Sequence, residues 1–221
     1  MRRLVIPGEL ITERSVKLGG GVIAEDGGVH ASTLGLLDER EGYVRVIPLS
    51  GRYNPKEGDF VIGVVSEAQN TYWVLDIRSP YRSILPGSEF HRELRGNERL
   101  RDLLPVGSAV YARIKEVTKT KGVFTTLRWR GTRVLNEGYL LDVSPSKIPR
   151  IIGKKDSMIN VLRKEGGCKI IAGHNGVVWI EGSPERTAII IEAIRYIEEN
   201  SHRGGLTDHI KEMITQKRSE I

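Results

Sequence analysis

Cysteine is almost missing from this chain: Cys168 is the single thiol in 221 residues. One thiol closes no internal disulfide and builds no zinc ribbon or other multi-thiolate site, which points to a reducing compartment. Long apolar runs are missing too. The run at residues 4–6 ends at Pro7, Gly8 and Glu9, too short for a signal peptide, and the run at 188–191 is broken by Glu192. A cytoplasmic protein without a membrane partner is expected. No low-complexity tract occurs, and 39% hydrophobic against 28% charged residues is the balance of a folded globular chain. Catalytic signatures are equally scarce. His30, His91, His174, His202 and His209 are scattered without metal-ligand spacing, and neither Gly-x-Ser-x-Gly nor a Gly-rich phosphate loop ending in Lys-Ser/Thr is present. The expectation is no catalytic residue, no metal site and no cofactor.

What is present is positive charge, unevenly placed. Residues 1–55 carry seven Lys/Arg and seven Asp/Glu, residues 56–133 carry fourteen and nine, and residues 134–221 carry thirteen and twelve. Nearly all of the +6 excess therefore lies in the middle third, which marks it as the phosphate-facing part of the chain, or else as a solvated basic face without a ligand.

The length suggests two or three packed units. In the first, glycine turns at 19–21 and 27–28 flank a short strand at 22–24, and a second strand is expected at 43–48; this small β domain, residues 1–53, reads as a docking or spacer module. The turn at 54–59 opens a second β unit, 54–133, with strands at 60–65, 72–77, 109–117 and 123–128. Four or five strands at this spacing suggest a small closed barrel of the OB type. Residues 78–104 read as a long polar insertion rich in arginine (Arg82, Arg92, Arg95, Arg99, Arg101), suited to RNA contact. The last part, 134–221, reads β, α, α, β, β, α: a strand at 139–143, a short helix at 147–152, and a helix after Asp156 burying Met158, Val161 and Leu162. Strands at 169–172 and 177–181 follow, joined by Gly173-His174-Asn175-Gly176. A helix capped by Ser183 with Pro184 at its first position buries Ile190, Ile194 and Ile197. A C-terminal amphipathic helix carries Ile210, Met213 and Ile214.

Two sets of candidate RNA-binding residues emerge. In the middle unit, Tyr72 and Trp73 are strand neighbours and point to opposite faces, so one is core and the other can stack an unpaired base. Phe90 and His91 form a second aromatic pair beside Arg92 and Arg95, and Lys119, Lys121, Arg128 and Arg130 supply further charge. In the last unit, Arg150, Gly153, Lys154 and Lys155 surround a turn entering a helix. The segment resembles the loop of a KH domain, in which a Gly-x-x-Gly turn lets a nucleic-acid backbone approach main-chain amides. The fourth position is Asp156, whose bulk and charge oppose a phosphate but which is also a good N-cap, so phosphate clamp and simple helix start both remain open. His174 reads as a surface turn residue.

These residues, taken in order, resemble the cap subunit of the archaeal exosome that carries S-one and KH domains. The match includes Pro7-Gly8-Glu9-Leu10, Gly51-Arg52-Tyr53-Asn54-Pro55, Gly58-Asp59-Phe60-Val61-Ile62-Gly63 and Trp73-Val74-Leu75-Asp76-Ile77; the Gly173-His174-Asn175-Gly176 turn is similar to a Gly-x-Asn-Gly element held to be structural. The resemblance implies a multidomain fold, mainly β with a C-terminal α/β part: an N-terminal β domain, a five-stranded OB-fold barrel of the S-one type and a type I KH domain. It implies a non-catalytic subunit that binds single-stranded RNA, sits in three copies on a hexameric ring of RNase-PH-like subunits, and threads RNA into the pore for 3′ to 5′ degradation. A preference for A-rich tails, and mixed caps with a zinc-ribbon subunit, are implied as well. The alternative is a scaffold that mainly stabilises the ring.

Overall fold

The structure, a computed structural model, describes residues 3–93, 98–201 and 205–219. Two compact units result, residues 1–51 and 52–221.

In the first unit, strands β1 (Arg3–Val5), β2 (Leu10–Thr12), β3 (Lys17–Leu18), β4 (Val22–Glu25), β5 (Gly28–Ala31), β6 (Gly35–Arg40) and β7 (Tyr43–Pro48) form two sheets ordered β1-β6-β7-β3 and β2-β5-β4. The sequence pattern marks only two of these seven. Alternation divides the larger sheet cleanly: Val5, Leu37, Val44 and Val46 are buried on one face. Its other face carries Leu4, Leu36 and Ile47 in cross-strand register, the first 55% exposed.

The second unit begins with a folded connector. Tyr53 is buried and its hydroxyl donates to Asp59 Oδ2 (2.6 Å), with Gly58 left-handed (φ 89) between them. Burial first, and then the Asp59 carboxylate, hold the phenol far above its ordinary pKa, so it stays a donor. Strands β8 (Phe60–Ala68), β9 (Tyr72–Asp76), β10 (Ser83–Pro86), β11 (Ala109–Val117) and β12 (Val123–Thr126) then close a barrel: β8 pairs with β9 and β11, β9 with β10, β10 with β12 in parallel, and β12 with β11. This is the OB connectivity. β13 (Arg133–Leu135) adds to β11, carrying the sheet two residues past the boundary expected at 133.

Residues 78–104 differ from the polar insertion expected there. They contain β10, and Leu85, Phe90, Leu100 and Leu104 fill the barrel core, the last two at either end of the short helix α1 (Leu100–Leu103). The arginines between them only mask this apolar set.

The C-terminal part is β14 (Tyr139–Asp142), α2 (Ile148–Ile152), α3 (Ser157–Gly166), β15 (Lys169–Ala172), β16 (Val177–Glu181) and α4 (Pro184–Glu199), with an antiparallel sheet ordered β14-β16-β15, the type I KH arrangement. Ser183 accepts from the Arg186 N–H (3.5 Å) as cap of α4. On α3 the buried residues are Met158, Ile159 and Leu162, while Val161 is only half-buried. The final helix α5 (Leu206–Ser219) lays Ile210 and Ile214, both fully buried, into the same core. Its apolar face is therefore used within the domain. Among the described residues no helix is long and apolar enough to cross a membrane.

Barrel and KH sheet interlock. β9 pairs with β8 only from Val64 onward, so the amides of Phe60 and Ile62 would be left at an open edge. The β15–β16 turn fills it. The His174 N–H donates to the Phe60 carbonyl (2.8 Å), and the Phe60 N–H donates to His174 Nδ1 (3.1 Å). Asn175 is 2% exposed; its Oδ1 accepts from the Ile62 N–H (3.1 Å) and its Nδ2 donates to the carbonyls of Ile62 (2.8 Å) and Ile77 (3.0 Å). The exposed His174 is thus a tie between domains and not merely a surface turn residue. Beside it, Ile62, Ala109 and Leu135 pack with Ile171, Val177 and Trp179 in a shared apolar cluster, and Arg78 forks onto Asp142 (both contacts 3.2 Å).

Truncating Asn175 strands one buried N–H and two carbonyls, so Asn175→Ala is expected to destabilise the second unit by about 3 kcal/mol, since each unsatisfied buried group costs ~1–3 kcal/mol. For a unit of this size that lowers Tm by roughly 6–12 °C. Asn175→Asp is expected to be at least as damaging, because a carboxylate oxygen would face two carbonyls. Thermal unfolding followed by near-UV circular dichroism reads this, and a shift below about 2 °C for Asn175→Ala would refute the clamp.

Candidate nucleic-acid interface

Strand alternation decides between the two aromatics of β9. Trp73 is fully buried; its indole N–H donates to the carbonyls of Leu100 and Leu104 (both 3.1 Å), and its ring packs 5.3 Å from that of Phe90. Tyr72 is the outward member, 37% exposed. Phe90, at 3% exposure, is core as well. Trp73 and Phe90 are therefore removed from the candidate RNA contacts: neither has a face open to a base. His91, against Phe90 at 4.1 Å between ring centres, is exposed.

The cations differ in what already holds them. Arg92 forks onto Glu98 (2.8 and 2.9 Å), so much of its charge is met within the chain. Arg95 lies outside the described residues. Lys119 and Lys121 sit in the β11–β12 turn, closed by the Thr118 N–H to the Gly122 carbonyl and the Lys121 N–H to the Thr118 carbonyl (2.8 and 3.0 Å). Lys121 is left-handed there (φ 66). Both lysines are exposed and make no ion pair among the described residues. At the far end of β12, Arg128 Nε donates to the Phe90 carbonyl (3.0 Å), which sets it beside His91 and Arg92, and Arg130 is exposed. Four strand residues separate the pairs, roughly 10 Å or more at ~3.3 Å per residue, so the quartet is two clusters.

The Glu89 acid near Arg128 is engaged. Glu89 holds Lys115 (2.5 Å), and its carboxyl sits below the ordinary carboxylate range because of Lys115 and then Thr126.

Trp129 is a further exposed aromatic of the barrel, outside the residues expected at the interface. It is half exposed, and the Arg113 guanidinium lies over its ring, 3.7 Å from the centroid. The signal was available as an aromatic between two arginines, Arg128-Trp129-Arg130, although the Arg113 contact comes only from pairing of β11 with the end of β12.

In the KH loop, Gly153 (φ 77) is required: a Cβ there would meet the Met158 nitrogen at 2.6 Å and Ser157 Oγ at 2.7 Å. Arg150, Lys154 and Lys155 are exposed around it. Of the two roles open to it, Asp156 takes the N-cap position of α3 but without side-chain capping. It is left-handed (φ 61, ψ 20), its side chain makes no cap hydrogen bond, and Lys155 before it is also left-handed (φ 52). Asp takes the glycine-like slot here, which it tolerates better than most residues.

Comparison with known proteins fits this order of parts. Residues 2–50 match the N-terminal domain of the exosome RNA binding protein RRP4, residues 53–123 the S1 domain of exosome complex component RRP40, and residues 138–186 a KH domain. Exosome complex component Rrp4 of Methanothermus fervidus is 38% identical over 96% of this chain and 95% of its own length. That of Pyrococcus furiosus is 36% identical over 100% and 85%. A crystal structure assigned provisionally as an exosome complex RNA-binding protein superposes with a TM-score of 0.70 at 32% identity, over 77% of this chain and 99% of that one. With relatives this similar along nearly its whole length, and N-terminal, barrel and KH parts in the same order, the chain belongs to the Rrp4 family of exosome complex components.

Proposed function

We propose that this chain is a non-catalytic RNA-binding subunit of an exosome, which caps a ring of RNase-PH-like subunits and feeds single-stranded RNA to it, with A-rich tails preferred. The observation that carries the RNA reading is the set of exposed barrel cations, Lys119, Lys121, Arg128 and Arg130, with Tyr72 at the surface. Exposed lysines and arginines attract a polyanion by releasing its counterions, and surface aromatics hold unpaired bases without reading sequence. Arg150, Lys154 and Lys155 around Gly153 add a second attraction, reduced by Asp156. The parts would divide as 1–53 for docking, 54–133 for RNA and 134–221 as the KH partner of the barrel.

One observation also favours a scaffold role. The first unit exposes Leu4, Ile6, Leu34 and Leu49 (55, 58, 42 and 41%), and register places Leu4 opposite Leu36 and Leu36 opposite Ile47. An apolar sheet face of this kind is the surface of a docking module. Capping and RNA capture are compatible, one in each unit.

Two expected outcomes follow. Replacing Lys119 and Lys121 by Ala, or Arg128 and Arg130 by Ala, should each flatten the salt dependence of RNA affinity by up to about 1.4 in the slope of log K against log salt, because each lost single-strand phosphate contact contributes ~0.7. Fluorescence anisotropy between 50 and 300 mM salt measures it, and an unchanged slope in both variants would remove the barrel from the RNA site. Leu4→Asp with Leu36→Asp should abolish co-elution with ring subunits and leave RNA affinity intact; retained co-elution would place ring docking elsewhere.

A further inference from the structure

We infer that Trp129, backed by Arg113, is a stacking platform for an unpaired RNA base at the end of β12. This rests on the RNA-binding reading above but adds a subsite outside the residues that carried it.

The other two tryptophans are buried, Trp73 fully and Trp179 to 4% exposure; Trp129 is 50% exposed. Its exposure has a direction. An indole has two faces, and the Arg113 guanidinium covers one at 3.7 Å, so the other faces solvent. Arg113 makes no ion pair among the described residues, and its charge remains available to a phosphate.

The backbone that carries the ring is also held in place. The Thr132 N–H donates to the Trp129 carbonyl (3.1 Å), and the Thr132 hydroxyl reaches both that carbonyl (2.6 Å) and the Leu127 carbonyl (2.8 Å). Gly131, at φ 93, makes the tight turn, and the Leu127 N–H donates to the Glu89 carbonyl (2.9 Å), tying the segment back to the barrel. A platform fixed before binding loses little freedom when a base arrives.

Its surroundings select the ligand. A protein partner reading a tryptophan anchor needs apolar surface around it, but the chain neighbours here are the exposed Arg128 and Arg130. An indole backed by Arg113, with Arg128 and Arg130 as its chain neighbours, suits a nucleobase with phosphates on either side. Stacking grows with ring area, so adenine should be held more firmly than uracil.

The test uses the full chain with 15-nucleotide oligo(A) and oligo(U), followed by tryptophan emission and by anisotropy of labelled RNA at 50 and 300 mM salt. Wild-type emission should be quenched on binding, more by oligo(A). Trp129→Leu should lose the quench and weaken oligo(A) binding by about 5- to 150-fold, the range for one stacked base. The loss should be similar at both salts, since stacking releases no counterions. Trp129→Phe should recover part of the affinity, and Arg113→Met should weaken binding and flatten the salt slope. Melting curves of the variants verify folding. Unchanged affinity and quench in Trp129→Leu overturn the platform while RNA binding by the chain stands. Failure of the wild-type chain to bind either RNA overturns the functional reading and the platform with it. Loss of ring association by Trp129→Leu, with RNA binding intact, overturns the platform in favour of a protein contact.

Discussion

The second unit depends on a buried amide. Asn175 presents to Ile62 the same pair of groups, one acceptor and one donor, that a neighbouring strand would present, and so continues the barrel sheet at the point where β9 leaves it. The substitution works only because backbone can come close. A Cβ on Gly173 would meet the Ile62 nitrogen at 2.8 Å, and one on Gly176 (φ 84) would meet the Val143 carbonyl oxygen at 2.3 Å. The Gly-x-Asn-Gly spacing is therefore a docking device between domains. It also makes one body of two small domains, each of which alone would bury a smaller share of its surface. Trp179 marks a cost: its indole N–H is buried in the shared cluster without a hydrogen-bond partner among the described residues.

Much of this architecture was legible in the sequence where the physical signal is local. Strands at 43–48, 109–117, 169–172 and 177–181 have the bounds that their apolar, β-branched runs between turn residues give, and Ser183-Pro184 starts α4 as capping chemistry requires. Signals fail where two explanations share the same residues. Asn175-Gly176 already accounts for a hairpin turn, so its bonds to Ile62 and Ile77, more than ninety residues away in the chain, leave no mark in the local pattern. Ser83–Pro86 is too short to show a period, and the arginines of 78–104 hide Leu85, Phe90, Leu100 and Leu104, of which only the last two stand at helical spacing. Residue type leaves Asp156 open between helix cap and phosphate loop; the left-handed Lys155–Asp156 pair is a backbone property that it does not reveal.

The candidate site was less legible than the fold, and the reason is what each side chain already contacts. A charge count found the basic third of the chain, but it could not tell Arg92, forked onto Glu98, from Lys119 and Lys121, which face solvent without ion pairs among the described residues. For binding a polyanion that difference decides the outcome, because a cation already paired releases fewer counterions on meeting phosphate. Aromatics behave the same way. Trp73 and Phe90 hold the barrel together, and the barrel in turn holds out Tyr72 and Trp129.

Under the proposed function these constraints favour the barrel over the KH loop as the main source of RNA affinity. The loop keeps the close backbone approach that Gly153 permits, but Asp156 puts a carboxylate beside Lys154 and Lys155 in a turn whose two consecutive left-handed residues fix its path. Attraction there is partly cancelled within the loop itself. The opposite sheet strand of the KH domain ends in the turn that grips β8, so that element is committed to structure. A KH domain tied down in this way serves the barrel as a rigid support, and rigidity at the base is what lets exposed aromatics and cations act as a preformed track for a flexible strand.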